Sequence, residues 1–297
     1  MSYSQNDFRE VAWNGISFSV PGDWHPYSIE PLYLALEDQH GPVLELKWQN
    51  VQGVRARQAH SRDLWGWYAR RLGKLATAVP LPEEFAAALK GYVVSGYTLG
   101  GPGGGLLGVL VYCPECHRVS LIQFHRVATR AEREIHRAVL ASYRDHRSDG
   151  LTTWAMYDIR AVAPQALALS EHRFTAGEFK LSLAAKRMDL HLYRWGPAAV
   201  ILRHRSLGEF AADHSGCRPD QFGIVDSDQE NVVEGQFSGR SRRRSGGLGH
   251  WFSGGGYRKL RYWTVTDKNR ILAVEMTGQG LPDHDLFRLV CKSYEAV

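Results

Sequence analysis

Two cysteines separated by two residues carry the sharpest chemical signal in this sequence. Cys113 and Cys116 bracket the segment CPEC, which lies between the apolar runs 107–112 and 118–124. A tight turn of this kind directs two thiolates to one point, as half of a tetrahedral zinc site requires. The spacing is therefore compatible with a metal-binding turn between two strands, and zinc is the cofactor that would fit it, although a lone CxxC is a weak signal.

The other two ligands of such a site must come from elsewhere, because the sequence has no second CxxC. His214 and Cys217 have the comparable HxxC spacing, and with Cys113 and Cys116 they could complete a site of three cysteines and one histidine. Two alternatives stay open: an ordinary hairpin with free thiols and no metal, or a redox pair. The redox alternative is weaker, because reactive thiolates usually lie at helix N-termini and this motif precedes a strand.

A second signal is a basic, glycine-rich insertion, residues 239–256, with aromatic residues in and beside it. Arginines interleaved with aromatics can bind phosphates and stack on unpaired bases. The basic residues that would make this phosphate or nucleic-acid site are Arg240, Arg242, Arg243, Arg244, Arg258 and Lys259. The alternative is a solvated insertion without a specific ligand, which is the commoner meaning of one short basic run.

Composition narrows the classes of protein further. A net charge of +5 and a pI near 9.0 are mildly basic, so nucleic-acid binding would require that charge on one face. Four cysteines are too few for a disulfide scaffold in 297 residues. No esterase, Walker or dinucleotide-binding motif occurs in its expected context, which favours a protein that is not an enzyme. The absence of a long apolar run predicts no membrane span, and the polar N-terminus favours a cytoplasmic protein.

The elements that would position these residues occur twice along the chain. Trp13 precedes the strand pattern 16–20, and Trp154 precedes a similar pattern at 157–164. A pair of apolar runs follows each opening, as expected for a hairpin, and further strand patterns come after it. This order indicates an internal duplication, in which each copy buries its own core.

We therefore predict an α+β fold of two tandem repeats, residues 1–148 and 149–297, the second carrying the basic insertion 239–256. Each repeat would be a mainly antiparallel sheet of about six strands flanked by helices. Amphipathic patterns at 129–143 and 283–294 predict the helix that closes each repeat.

The opening of the first repeat, GISFSVPGDW, resembles the start of PsbP-like domains, in which a strand ending in proline is followed closely by tryptophan. That superfamily is named after an extrinsic subunit of photosystem II and includes a small Ran-binding nuclear transport factor. The resemblance implies an α/β/α sandwich for each repeat, and a binding or assembly module rather than an enzyme. It is strong over residues 15–24, whereas Pro164 is followed by QAL without a tryptophan. It implies no functional residue.

These observations favour a non-enzymatic binding or assembly protein that acts through the surface between its repeats on a protein or small-ligand partner. Trp67 lies off the apolar stripe of a helix predicted over 61–75, and it is a candidate for that interface. One alternative is a nucleic-acid- or phosphate-binding protein that uses residues 240–259. The other is a zinc- or thiol-dependent protein that uses the CPEC turn.

Overall fold

Most of the described chain forms strands that pair mainly antiparallel, and apolar and polar residues alternate along many of them. The computed structural model describes residues 7–51, 76–99, 106–126, 129–218, 220, 222–224, 232–238 and 256–297. Over these ranges the strands form three sheets, two of seven strands and one of five. The predicted sheet-rich α+β class is confirmed, but three sheets are present where two were predicted.

The described chain divides into two compact units. Unit 1 runs to Asp149 and includes Thr153–Tyr157, because Ala155 pairs with Ala12. Unit 2 comprises Gly150–Thr152 and Asp158–Val297. The assignment of the chain to two PsbP-like repeats divided at residue 148 stays a prediction.

Unit 1 contains a short hairpin, a seven-stranded sheet and two helices in its described part. The hairpin consists of β1 (Phe8–Trp13) and β2 (Ile16–Pro21). The other elements are β3 (His25–Glu30), β4 (Tyr33–Asp38), β5 (Gly41–Asn50), β6 (Ala76–Val79), α1 (Glu83–Ala88), β7 (Val93–Leu99), β8 (Leu106–Tyr112), β9 (Arg118–Phe124) and α2 (Arg130–Ser142), followed by β10 (Leu151–Met156). The sheet order is β3-β4-β5-β9-β8-β7-β6, which places the hairpin β8–β9 inside the sheet.

The strand that opens unit 1 shows how the sequence pattern becomes structure. Ile16, Phe18 and Val20 of β2 are buried, and the residues between them are half-buried. Pro21 ends the strand because it has no N–H to donate to a ladder. Trp24 follows and is buried.

Helix α2 is fixed at both ends by side-chain hydrogen bonds. A capping box begins the helix: Thr129 accepts the N–H of Glu132, and the Glu132 carboxylate accepts the N–H of Thr129. At the other end, Ser142 Oγ accepts the N–H of Ser19 on β2 at 2.8 Å. Tyr143, which is fully buried, ends the helix. The residues after α2 therefore leave from a defined point of unit 1.

Unit 2 contains a seven-stranded sheet with the order β12-β13-β14-β18-β17-β16-β15. Its elements are β11 (Ile159–Pro164), β12 (Ala168–Thr175), β13 (Glu178–Ala185), β14 (Met188–Trp195), α3 (Ala198–Ile201), α4 (Leu207–Ser215), β15 (Gly223–Ile224), β16 (Val232–Ser238), β17 (Gly256–Val265), β18 (Arg270–Gln279), α5 (His284–Ser293) and β19 (Glu295–Ala296). Strands β17 and β18 pair with each other as an antiparallel hairpin.

The core of unit 2 is rich in aromatic rings. Tyr193 and Trp195 stack with their ring centres 5.2 Å apart, and Trp195 meets Phe210 edge to face at 5.0 Å. Phe210 comes from α4, whose N-terminus is capped by Ser206. Tyr262 of β17 completes the group. Such ring pairs add to the stabilisation that apolar burial provides.

Two sequence predictions lie outside the described residues: the helix over 61–75 with Trp67, and the basic insertion up to residue 255. The short elements β1, β3, β6, α1 and β10 were not predicted. No helix in the described ranges is long and apolar enough to cross a membrane.

Candidate metal centre

The CPEC turn joins β8 to β9, whose ladder ends at the pair Tyr112 and Val119. Backbone hydrogen bonds close the turn, from Cys113 N to Arg118 O at 2.9 Å and from His117 N to Cys113 O at 3.1 Å. His117 has a φ of 58°, in the left-handed region that few residues other than glycine adopt. The backbone of the turn is therefore well defined, and both cysteines lie on it.

The segment that follows α2 brings two more ligand-type side chains to this turn, Asp145 and His146. It is held in place by the buried Tyr143, whose hydroxyl lies 2.6 Å from Ser120 Oγ on β9. Arg118, at the start of β9, donates to the backbone oxygen of Asp145. The end of a helix and the end of a hairpin thus meet at one place in unit 1.

Cys113, Cys116, Asp145 and His146 offer four ligand atoms that all lie within 4.8 Å of one another. The Cys113 Sγ to His146 Nδ1 distance is 3.7 Å, and the Cys116 Sγ to Asp145 Oδ2 distance is 3.1 Å. A tetrahedral zinc ion with bonds of about 2.0–2.3 Å separates its ligand atoms by about 3.3–3.8 Å. Shifts of about 1 Å or less would therefore bring these atoms into coordinating positions.

The cluster is closed on one side and open on the other. Cys113 and Asp145 are buried, with 3% and 1% of their surfaces exposed. Cys116 is half-buried, and 24% of the His146 side chain is exposed. An ion can therefore reach the cluster from the His146 side, and most of its coordination shell would be shielded from water.

The protonation states in the metal-free cluster follow from burial and from the charge of Asp145. Burial and the charge of Asp145 raise the pKa of Cys113, and hydrogen bonds from backbone N–H groups offset only part of that rise. Burial and the same charge raise the pKa of Cys116 strongly. For His146, burial alone would lower the pKa, but hydrogen bonds to Asp145 and Glu115 outweigh burial and raise it. The thiols are therefore protonated near neutral pH, and a divalent cation would displace their protons.

Three residues contact the ligands from outside the cluster. The Tyr92 hydroxyl donates to Asp145 Oδ1 at 3.3 Å. Glu115 Oε2 lies 2.9 Å from His146 Nε2. Arg118 contributes its bond to the Asp145 backbone. Contacts of this kind hold metal ligands in orientation and are part of a site's affinity.

The other two predicted ligands, His214 and Cys217, belong to unit 2 and have partners there. His214 Nδ1 is 2.9 Å from the Tyr262 hydroxyl, and burial lowers the pKa of His214. Cys217 Sγ accepts a hydrogen bond from Arg258 at 3.4 Å. Within the described residues, the two cysteines of the CPEC turn lie beside an aspartate and a histidine of their own unit. The set of three cysteines and one histidine stays a prediction from the sequence.

The described members of the predicted phosphate site also have partners inside unit 2. Arg258 forms an ion pair of 2.8 Å with Glu275, a carboxylate that is only 3% exposed. Lys259 Nζ lies 3.0 Å from His284 Nδ1 and 4.7 Å from the centre of the Phe287 ring. The remaining candidates lie outside the described residues: Arg240, Arg242, Arg243, Arg244 and the interface candidate Trp67.

Sequence reasoning missed Asp145 and His146 because they lie in the polar run 144–149, which reads as a linker. One signal was available. A helix pattern ending at Tyr143 is followed at once by adjacent aspartate and histidine, in a chain that lacks two ligands for a CxxC pair. What the sequence did not reveal is that the end of this helix meets the turn β8–β9.

No family model matches the chain, and no curated protein matches it. Among solved structures, the apo structure of the immunity protein TplEi of T6SS from Pseudomonas aeruginosa is similar to this chain with a TM-score of 0.24 and 10% sequence identity. The alignment covers 97% of each chain. At this TM-score the likeness assigns neither a fold family nor a function to the chain.

Proposed function

We propose that unit 1 is a zinc-binding module in which Cys113, Cys116, Asp145 and His146 hold one metal ion. The observation that supports this is the convergence of four ligand atoms within 4.8 Å, on a turn and a helix end that are both fixed by hydrogen bonds. Two thiolates with an imidazole select zinc over the hard cations, which prefer all-oxygen sites. The carboxylate is also an ordinary zinc ligand.

In this proposal the metal is structural. Four protein ligands fill a tetrahedral shell, whereas catalytic zinc sites keep one position for water or substrate. The ion would join the end of the β8–β9 hairpin to the segment after α2, and so hold together two parts of unit 1 that are distant in the sequence. The binding or assembly role of the whole chain stays a prediction from the sequence.

The experiment is to measure zinc in the full chain purified without a histidine tag. We expect about one zinc per chain, because the cluster has one set of four ligands. Cys113→Ser and Asp145→Asn should each reduce the zinc content to a small fraction of the wild-type value. Cys291→Ser is the matched control, because Cys291 is a half-buried cysteine in unit 2 and outside the cluster.

Cobalt substitution gives a second reading of the same site. Thiolate-to-cobalt charge-transfer absorption is expected for the wild type and for Cys291→Ser, and it should be lost in Cys113→Ser. A wild-type chain that binds neither metal, with the thiols of Cys113 and Cys116 free to react, would overturn the proposal. The turn would then be an ordinary hairpin.

We also propose that the two units are copies of one PsbP-like domain. The two seven-stranded sheets share one strand order, which supports the duplication. So does a detail of the closing helices. Ser142 of α2 accepts the N–H of Ser19 on β2, and Ser293 of α5 accepts the N–H of Val162 on β11. A buried tyrosine follows each serine. The PsbP-like identity of the copied domain depends on the resemblance of residues 15–24.

A further inference from the structure

The imidazole of His146 is held from both sides by carboxylates. Its Nδ1 atom lies 2.7 Å from Asp145 Oδ1 and 3.7 Å from Cys113 Sγ, so this nitrogen faces the proposed ligands. Its Nε2 atom points the other way and lies 2.9 Å from Glu115 Oε2. The two ring nitrogens therefore have distinct environments, one inside the cluster and one outside it.

A histidine can bind a metal through one nitrogen only if that nitrogen has lost its proton. The remaining proton is then on the other nitrogen, which must be a donor. A carboxylate that accepts this N–H fixes the tautomer, holds the ring plane and makes the coordinating nitrogen more basic. Glu115 is at hydrogen-bonding distance from the nitrogen that would carry the proton.

We propose that Glu115 is a positioning residue of the metal centre: it accepts the Nε2–H of His146 and so presents the Nδ1 lone pair to the metal. This inference rests on the proposed function. It means that the four-residue turn supplies two ligands, Cys113 and Cys116, and also the carboxylate that orients a third. Asp145 is then the ligand whose orientation depends on other contacts, including the hydroxyl of Tyr92.

The position of Glu115 makes this assignment specific. Its side chain is 78% exposed, so its contact with His146 would contribute little to stability as a surface ion pair. Its backbone, however, lies between the two cysteines in a turn that is closed by hydrogen bonds. A carboxylate carried on such a turn can hold a ring in place even from an exposed position.

The test compares Glu115→Ala, Glu115→Gln and Glu134→Gln in the full chain. Zinc affinity is measured by competition with a chelator, and long-range proton–nitrogen NMR reports which nitrogen of His146 carries the proton. Glu134→Gln is the matched control, because Glu134 is also an exposed glutamate and its ion-pair partner, Arg137, lies on the same helix.

We expect Glu115→Ala to weaken zinc binding by about 10- to 100-fold, as loss of such a partner typically does. Glu115→Gln should lose less, because its amide oxygen can still accept the N–H. Glu134→Gln should bind zinc as the wild type does. In the zinc-loaded wild type, the NMR experiment should show Nε2 protonated and Nδ1 bound to the metal.

Two results would overturn the inference while leaving the zinc site intact. One is a Glu115→Ala variant whose zinc affinity equals that of the wild type. The other is a zinc-loaded wild type in which His146 coordinates through Nε2. Failure of the wild type itself to bind zinc would overturn both this inference and the proposed function, so the two failures are distinguishable.

Discussion

His136 is a titratable side chain in an apolar part of unit 1. It is buried on α2, its ring stacks on Phe124 with the centres 3.8 Å apart, and Phe85 lies 6.4 Å away. Its Nδ1 atom has no hydrogen-bond partner among the described residues. Burial lowers the pKa of His136 from 6.5 to about 4. The folded protein therefore keeps this ring neutral at a pH where the unfolded chain would protonate it.

We expect His136 to make unit 1 less stable as the pH falls from about 6.5 to about 4. In that window the unfolded chain binds a proton that the folded chain does not, so protonation favours unfolding. A pKa difference of this size corresponds to a loss of about 3 kcal/mol in the free energy of unfolding. Urea unfolding with a chelator present, at several pH values, measures the slope for the wild type and for His136→Leu.

The leucine variant should lose the part of the pH dependence that His136 contributes. His204→Gln is the control, because His204 is exposed in unit 2 and its replacement should leave the slope unchanged. Equal slopes for the wild type and His136→Leu would show that His136 is not the titrating group.

At the scale of elements, each closing helix is tied to a strand by the serine at its C-terminal end. Ser142 Oγ accepts the N–H of Ser19 at 2.8 Å and donates to Val139 O at 2.8 Å. Ser293 Oγ accepts the N–H of Val162 at 3.0 Å. The hydroxyl thus satisfies a strand N–H that the sheet ladder does not, and its removal would leave that donor without this partner.

We predict that Ser142→Ala and Ser293→Ala each destabilise the chain by about 0.5–1.5 kcal/mol, the usual net contribution of one hydrogen bond. Hydrogen exchange read by mass spectrometry measures where the loss occurs. Ser142→Ala should reduce protection in β2 and α2, and Ser293→Ala should reduce it in β11 and α5. Each variant serves as the control for the other, and unchanged protection in both would contradict the prediction.

Elements with strong local signals could be predicted from the sequence. The apolar runs of β8 and β9, the capping box at Thr129 and the cap at Ser206 are decided by neighbouring residues, and the structure confirms them. The strand β3 was missed because Pro26 and a register shift interrupt its pattern. The elements β6 and α1 are too short to show a periodic pattern of apolar residues in the sequence.

The candidate site was half predictable for a similar reason. Cys113 and Cys116 form a local motif, so their closeness in space can be predicted from their spacing in the sequence. The approach of Asp145 and His146 depends on how α2 packs, and in particular on Tyr143, whose hydroxyl meets Ser120. Packing of this kind is a property of the folded unit, and no motif in the sequence reveals it. The sequence therefore pointed to the HxxC pair, His214 and Cys217, which lies further along the chain.

At the scale of the whole molecule, the proposed zinc would stabilise the folded chain by an amount that rises with the ratio of the free zinc concentration to the dissociation constant. An ion at 100 times its dissociation constant adds about 2.7 kcal/mol to the free energy of unfolding, if it binds the folded form alone. That gain applies to the unit that contains the ligands. The cluster lies entirely in unit 1, since its members come from the β8–β9 turn and the segment after α2.

We expect a strong zinc chelator to lower amide protection in β8, β9 and α2 by up to about 100-fold, which is the factor that this free energy represents. Protection in β13 and β14 of unit 2 should change much less. Hydrogen exchange with and without the chelator measures both regions. Cys113→Ser is the control, because it should show the low protection of β8 and β9 without chelator. Equal loss across both units would contradict a local metal effect.

With the proposed zinc bound, the two units would stabilise comparable places by different means. In unit 2, Arg270 at the start of β18 donates to Asp158 at 2.7 Å, and Arg194 contacts the same carboxylate. These partners are encoded in the chain and are present from the moment it is synthesised. In unit 1, the start of β9 adjoins the proposed zinc ligands, so the stability of this place would depend on the supply of zinc. A cell short of zinc would then shorten the lifetime of one half of the molecule and spare the other.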